Sequence, residues 1–353
     1  ASSRTCAGSR IRCGPRERLA GGEMWELIND LIVSKVPEKF RNVLDGVGLD
    51  VLDDGVAIKV GDVYVVMSID SYTVKPPIFP GGDLGVLAAS GTINDLLMMG
   101  AKPVGIIDAL VVEEGMEVDL VNGLIQSLIN TAVSEGVAVL GGDFKVMPKG
   151  SLDGIIITTA GIGIARKLIV DVNIRVGDKV IVTGPIADHG ATVIAAQLGL
   201  LNMSKDLVSD VRPLSKYMLP LIDTYGDHIH AARDPTRGGL ASTLNEWVVN
   251  RDLTIVVDRS KIPIREPVKK FLDMLGIDPL NVASEGVAVL AVDPVVADEV
   301  VSYLRRLGLD KASIVGEVVK PPSGIARGRV LAKTEVGGIT FIEASSSPTP
   351  RIC

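Results

Sequence analysis

The sequence predicts an α+β protein of two units, each mixing helices with strands. Three observations carry that expectation. At 353 residues the chain has room for two domains of the usual ~100–200 residues. A hydrophobic share of 47% against a charged share of 22% is that of a chain that buries a core. Short β-rich segments also exchange with segments of helical periodicity on both sides of a break near residues 166–177. The expected division is therefore a loose extension over 1–18, a first αβ unit over 19–166, a second over 167–343, and a mobile tail over 344–353.

The first unit opens on a helix, because Met24, Leu27, Ile28, Leu31 and Ile32 recur at helical spacing and Pro37 marks its far limit. Strands over 56–60 and 63–69 follow, joined by the turn pair Gly61-Asp62, with the second ending at Asp70. After a Pro-rich loop and Gly81-Gly82, a helix runs from about 84 to 99 and closes on Gly100. A strand over 104–112, a helix over 119–135 and strands over 137–140 and 154–164 complete the unit. Gly161 and Gly163 fall inside the last of these, where close backbone packing is the simplest account.

In the second unit the spacing predicts strands over 179–183, 253–257, 287–292 and 314–319. Helices are expected over 189–198, through Leu214, Met218, Leu221 and Ile222, and over 239–249 and 295–307. The tail Ala344-Ser-Ser-Ser-Pro-Thr-Pro-Arg-Ile-Cys353 has too little apolar surface to offset the entropy of ordering it.

Composition removes several functions. The formal charge is −7 and aromatic residues make up 3%, so there is neither a cationic track nor a set of stacking rings for nucleic acid. Mean hydropathy is positive at +0.36, but no apolar run approaches the ~18 residues of a membrane helix. Cys6, Cys13 and Cys353 cannot all pair internally, and a reducing cytoplasm is their natural setting. Residues 1–18 carry five arginines against Glu17 with no apolar stretch behind them, unlike a secretory signal.

Acids recur beside glycines or at expected strand ends: Asp53-Asp54-Gly55, Asp70, Gly81-Gly82-Asp83, Asn94-Asp95, Gly141-Gly142-Asp143 and Asp234. Mg²⁺ takes oxygen ligands and binds through one or two carboxylates together with substrate phosphates, so converging loops of this kind suit a metal-nucleotide complex. A turn-stabilising or capping role competes at each place taken singly. Neither a P-loop nor a strand leading into Gly-x-Gly-x-x-Gly is present, so a nucleotide site here is of another type.

Several motifs together resemble the HypE family of hydrogenase maturation proteins. They are Gly82-Asp83, Ser90-Gly-Thr-Ile-Asn94-Asp95-Leu-Leu-Met-Met-Gly100, Gly142-Asp143-Phe144-Lys145, Asp188-His189-Gly190, Asp234-Pro-Thr-Arg237-Gly-Gly and the terminal Pro350-Arg351-Ile352-Cys353. The resemblance runs from about residue 20 to the end. It implies a PurM-like fold that binds ATP with Mg²⁺ near a homodimer interface formed by strands of the first unit. It also implies roles: Asp54, Asp70, Asp95 and Asp234 as metal residues, and Asp83, Asn94, Asp143 and Arg237 around the nucleotide. Arg237 would offer phosphate a forked donor, with an ion pair to a neighbouring acid as its competing role.

The activity implied is an ATP-dependent dehydration of a carbamoyl group carried on Cys353 to a thiocyanate, the source of the cyanide ligand of NiFe-hydrogenase iron. The implied partners are a HypF-like carbamoyltransferase and a HypC-HypD-like iron scaffold complex. A tail thiol suits this, since a thiolate is the accepting nucleophile and a flexible arm can visit two sites. Glu285 is the candidate base and Lys145 a candidate for holding developing negative charge, although both residue types are mostly solvated surface groups. His189 stands at a helix start suited to anions, with a purely structural role equally open.

The chain departs from the family pattern in having Arg18-Leu19-Ala20-Gly21-Gly22 where His-Gly-Ala-Gly-Gly is common, Phe144 where Thr is common and Ser284 where Asn is common. Two other readings compete: a thiamine-phosphate or selenophosphate kinase-type enzyme with a free substrate, and an assembly scaffold that uses ATP as a conformational ligand.

Overall fold

The computed structural model describes residues 24–203, 205–334 and 337–344, and of 24–27 and 203 the backbone alone. The expected extension, nearly all of the expected tail and all three cysteines lie outside these residues. The first unit runs α1 (Met24–Leu31), β1 (Val56–Val60), β2 (Val63–Tyr72), β3 (Ile78–Phe79), β4 (Gly82–Asp83), α2 (Leu84–Met98), β5 (Lys102–Glu113), α3 (Val118–Ser134), β6 (Ala138–Met147) and β7 (Ile155–Ala165). The second runs β8 (Lys179–Val182), α4 (Asp188–Gln197), α5 (Ser215–Tyr225), β9 (Ile229–Arg233), α6 (Gly239–Val248), β10 (Thr254–Asp258), α7 (Glu266–Leu275), β11 (Val289–Val292), α8 (Ala297–Arg306), β12 (Ser313–Val319), β13 (Arg329–Lys333) and β14 (Ile339–Ile342).

Among the described residues two large sheets organise the chain. The first has strand order β1-β2-β7-β5-β6, antiparallel except for the parallel pair β5–β6. The second has order β14-β13-β10-β12-β8-β11-β9, antiparallel except for β10–β13. No helix among the described residues is long and apolar enough to cross a membrane.

Helix α2 joins the two units. The Asp83 side chain caps its start by accepting the Val86 N–H at 2.9 Å, and Gly100, at φ +78°, turns the chain out beyond its end. Fourteen of its fifteen residues are buried, as expected only of a helix covered on every side. Strands β2 and β7 and helix α3 cover one part of it, α5 and β9 of the second unit another. One buried cluster therefore runs without a break from Leu87 and Leu97 of α2 to Ile181 and Leu290 of the second sheet. This continuity fixes the junction at which the acids below meet.

Gly161 and Gly163 are where close packing requires them. A Cβ on Gly161 would stand 2.7 Å from Thr92 Cγ2 and 2.8 Å from Leu96 Cδ1, inside van der Waals contact.

The structure corrects several boundaries. Strand β2 does not end at Asp70 but continues to Tyr72, because its ladder with β7 runs on to Ile157. Strand β6 extends from the expected 137–140 to Met147, so Asp143 and Lys145 lie on an edge strand instead of in a turn. There Leu140 is the extra residue of a bulge against β5, Gly141 and Gly142 stay in the ladder opposite Ile107 and Asp108, and a Cβ on Gly142 would stand 2.5 Å from the Asp108 carbonyl oxygen. Strands β9, β13 and β14 and helix α7 were not expected. His230 and Arg233 break the apolar alternation of β9, and α7 opens with Pro at its second position.

Candidate active site

Three acids from separate parts of the chain meet at the junction. Asp54 precedes β1, Asp95 lies on α2, and Asp234 follows β9. One carboxylate oxygen from each lies within 4.8 Å of the other two. Asp95 and Asp234 are buried, and Oδ2 of Asp54 and of Asp234 has no hydrogen-bond partner in the protein. Asp95 Oδ2 accepts from the Ser68 hydroxyl at 2.5 Å.

Buried carboxylates lacking partners are costly, and two unit charges at this separation repel by about 3.5 kcal/mol at an effective dielectric of ~20. Burial accordingly pushes the pKa of Asp54 and Asp95 well above the usual carboxylate range. Asp234 is pushed up to about 7 by burial and by the charge of Asp70, with Arg233 opposing. An all-oxygen donor set with two orphaned lone-pair sites fits a hard divalent cation such as Mg²⁺.

A pH signature follows. The folded chain holds a proton on Asp234 up to about pH 7, whereas an ordinary aspartate releases it near 3.8. Between those values the folded state binds more protons than the unfolded one, so cation-free stability falls as pH rises through that window. A cation held by the three carboxylates would replace those protons. Added Mg²⁺ should therefore raise the melting temperature clearly at about pH 8 and little at about pH 5. Equal shifts at both, measured by thermal denaturation, would contradict the assignment.

Around this cluster the other expected residues are placed unequally. Asp70 lies on β2 outside the closest three, but its charge reaches Asp95 and Asp234 and is itself opposed by Arg237. Asn94 is fully buried and bridges the units. Its Nδ2 donates to the Arg212 carbonyl at 3.1 Å and its Oδ1 accepts from Leu214 N–H at 2.8 Å. Glu285 is buried, and its backbone N–H donates to Asp210, whose carboxylate also accepts from the N–H groups of Gly286 and His189. Burial, then the charges of Asp95, Asp70 and Glu285, raise the Tyr72 phenol well above its usual range, so Glu285 shares the cluster's electrostatic surroundings.

Four expected residues stand elsewhere or are otherwise engaged. Both Asp83 oxygens are occupied, one by the helix cap and the other by the Ser127 hydroxyl at 2.6 Å. Asp143 and Lys145 lie on the exposed edge strand β6, where Asp143 accepts from the Phe144 N–H at 2.9 Å. His189 opens α4 as expected, but its ring is fully buried against Phe79 with Nδ1 2.8 Å from the Ser209 hydroxyl. Burial lowers its pKa to about 3, leaving it neutral. Of the two roles left open for His189, this placement favours the structural one over contact with an anion. Cys353 lies outside the described residues.

The sequence reading missed Arg233, Asp171 and Asp210. Arg233 contacts Asp54 at 3.4 Å, pairs through Nε with Asp171, donates to Glu246 at 2.6 Å, and gives a third bond to the Leu52 carbonyl at 2.9 Å. Burial works against its charge, but Asp54, Asp171 and Glu246 outweigh it and hold the guanidinium protonated. Asp171 also accepts from the indole N–H of Trp247 at 2.9 Å. The charge of Arg233 directly before Asp234 was the one available signal.

Comparison with known proteins identifies the family of the chain. Residues 52–165 match the N-terminal domain of AIR synthase related proteins, and 175–328 match the C-terminal domain. A putative hydrogenase expression/formation protein of Methanocaldococcus jannaschii is 39% identical over 95% of this chain and 98% of its own. The carbamoyl dehydratase HypE of Rhizobium leguminosarum bv. viciae is 36% identical over 89% of each. Among solved structures, a HypE-HypF complex aligns with TM-score 0.80 at 33% identity, covering 92% of this chain and 100% of the other. A HypE in complex with ATP aligns with TM-score 0.79 at 35% identity, covering 94% and 97%. With both domains matched and this identity sustained along nearly the whole length, the chain belongs to the HypE family of hydrogenase maturation proteins, the carbamoyl dehydratases of the AIR synthase related fold.

Proposed function

We propose that the protein dehydrates a carbamoyl group carried on its own Cys353 to a thiocyanate, with ATP as the activating co-substrate. The observation that carries this reading is the buried Asp54–Asp95–Asp234 cluster with its two orphaned oxygens, in a chain similar over almost its full length to a HypE solved with ATP. The root of the tail supports it. The Ile342 carbonyl accepts from Asn245 Nδ2 at 3.0 Å, and the next two residues of the same helix, Glu246 and Trp247, hold Arg233 and Asp171 behind the cluster. From there the nine residues past Ala344 span up to about 30 Å.

The chemistry has two steps. Oxide is a poor leaving group, so the carbamoyl oxygen first attacks the γ-phosphorus of ATP; an O–P bond forms and the bond to the leaving ADP breaks. The C–O bond then breaks with departure of phosphate as the nitrogen loses its protons, leaving S–C≡N. The sum is S-carbamoyl cysteine plus ATP giving S-cyano cysteine, ADP and phosphate. Mg²⁺, when bound, would supply charge neutralisation at the phosphates. The residues that would hold it are Asp54, Asp95 and Asp234, with Asp70 adding charge and Arg237 donating to phosphate. Glu285, buried beside α2, is the group we assign to accept one nitrogen proton, the other leaving on the departing phosphate.

The carbamoyl donor we assign is a HypF-like carbamoyltransferase, in keeping with the HypE-HypF complex to which this chain is similar. The cyanide acceptor is a HypC-HypD-like iron scaffold complex, and a reducing cytoplasm is the setting a free terminal thiol requires. We also infer a homodimer across the first sheet. Ile69, Ala160 and Ile107 form one cross-strand row, and Ile69 and Ile107 are exposed, as are Val104 and Ile164. An apolar sheet face of this kind is an association surface. Edge strand β6, with Asp143 and Lys145, belongs to the same sheet. The direct test is the mass of the C-terminal peptide after incubation with a carbamoyl donor system and MgATP. Loss of one water from carbamoylated Cys353 supports the reading; a carbamoylated tail that never loses water while ATP is consumed would refute it.

A further inference from the structure

We propose that Arg233 is a positioning residue that delivers Asp54 to the cation cluster, clamping the segment 52–54 of the first unit from the second. The proposal rests on the cation reading of Asp54, Asp95 and Asp234 given above. Asp95 is fixed by α2 and Asp234 by the end of β9, but Asp54 stands in a loop with no helix or strand beneath it. Leu52 in that loop has φ +57°, in the left-handed region where a leucine is strained. Such a conformation persists only where its surroundings impose it.

The imposing contacts come from across the junction. Arg233 Nη2 donates to the carbonyl of the strained Leu52 at 2.9 Å, and Nη1 stands 3.4 Å from Asp54 Oδ1. A second tie lies beside it. The Asp171 N–H donates to Asp53 Oδ2 at 2.8 Å, while Asp53 Oδ1 accepts from the Asp54 N–H at 2.9 Å. With Oδ1 engaged by Arg233, Oδ2 of Asp54 is left as one of the two orphaned oxygens of the site.

A guanidinium beside a cation site also repels the cation, so the sign of its effect has to be decided. Arg233 lies nearer to two other acids than to Asp54: Asp171 through Nε, and Glu246 at 2.6 Å against 3.4 Å for Asp54. Those two carboxylates already compensate its charge. What remains particular to Arg233 is the fork that reaches Leu52, Asp54, Asp171 and Glu246 at once, a geometry lysine cannot reproduce. Orientation therefore outweighs repulsion, and losing the side chain should weaken cation binding.

The test is Mn²⁺ binding to the full chain, followed by electron paramagnetic resonance of the free ion, with circular dichroism and thermal melting as the check of fold. Relative to wild type, Arg233→Met should weaken Mn²⁺ by about tenfold or more, and Arg233→Lys should recover only part of the loss. Asp171→Asn, which loosens the clamp while keeping a partner for Trp247, should weaken Mn²⁺ by a smaller factor and serves if Arg233→Met does not fold. In turnover, Arg233→Lys should raise KM for MgATP more than it lowers kcat. Unchanged or tighter Mn²⁺ binding in folded Arg233→Met, or in Asp171→Asn where that variant stands in, overturns the proposal. A wild-type chain that binds no Mn²⁺ at all overturns the cation reading itself, and this one with it.

Discussion

Replacing Cys353 with alanine should abolish modification of the tail outright while leaving MgATP binding within about twofold of wild type. The expectation is this sharp because the thiolate is the attachment point of the substrate as well as the accepting nucleophile, so no slower route remains. Serine at the same position keeps the size but lacks a nucleophile at neutral pH, and should behave like alanine. The remaining thiols, Cys6 and Cys13, lie at the other end of the sequence and supply an internal control. Peptide mass mapping after incubation with donor and MgATP reads all three sites together. Carbamoylation of the alanine variant at Cys6 or Cys13, followed by loss of water there, would show that the arm is not the carrier.

Asp95→Asn should lower the dehydration rate by roughly a thousandfold, the effect of about 4 kcal/mol of lost charge stabilisation at a metal-assisted centre. The substitution is nearly isosteric and keeps an oxygen for the Ser68 hydroxyl, which now donates at 2.5 Å. It also removes one of three mutually repelling buried acids, so the cation-free protein should melt no lower than wild type. Loss of activity with unchanged or raised stability separates a functional acid from a structural one. A variant that loses both to a similar degree would place Asp95 in the fold alone. Melting curves without Mg²⁺ beside single-turnover rates with it give both readings.

Much of this was legible in the sequence because the chemistry chose conspicuous places. Asp54 sits at a turn, Asp95 in a helix otherwise short of charge and Asp234 before the Pro-Thr-Arg-Gly-Gly run, and the structure brings all three together. The same logic is ambiguous where one local pattern serves two ends. Asp83 before a helix is both an attractive phosphate neighbour and an ordinary N-cap, and only the Ser127 hydroxyl on α3 shows that its second oxygen is occupied. Gly141-Gly142 looks like a turn, yet both stay in the ladder with β5, just past a bulge at Leu140. His189 stands at a helix start as its glycine-flanked position suggests, but that position carries no trace of Phe79 and Ser209 closing over the ring.

What stayed illegible is tertiary. Arg233, Asp171 and Glu246 are single charges spread over some 75 residues, and their meeting depends on how β9 and α6 pack against the loop before β1. The apolar face of the first sheet is similar. Its strands β1, β2, β5 and β7 were expected nearly where they stand, but only the placement of α2 and α3 on one side shows that Ile69 and Ile107 are left uncovered on the other.

The central claim is that ATP activates the carbamoyl oxygen itself, and the most direct measurement follows that atom. Carbamoyl groups carrying heavy oxygen are loaded onto the tail, one turnover is run with MgATP, and the released phosphate is analysed by mass. The label should appear in inorganic phosphate, one atom for each thiocyanate formed. Label recovered in water with unlabelled phosphate would mean that ATP is hydrolysed beside the dehydration and does not drive it through a phosphorylated intermediate.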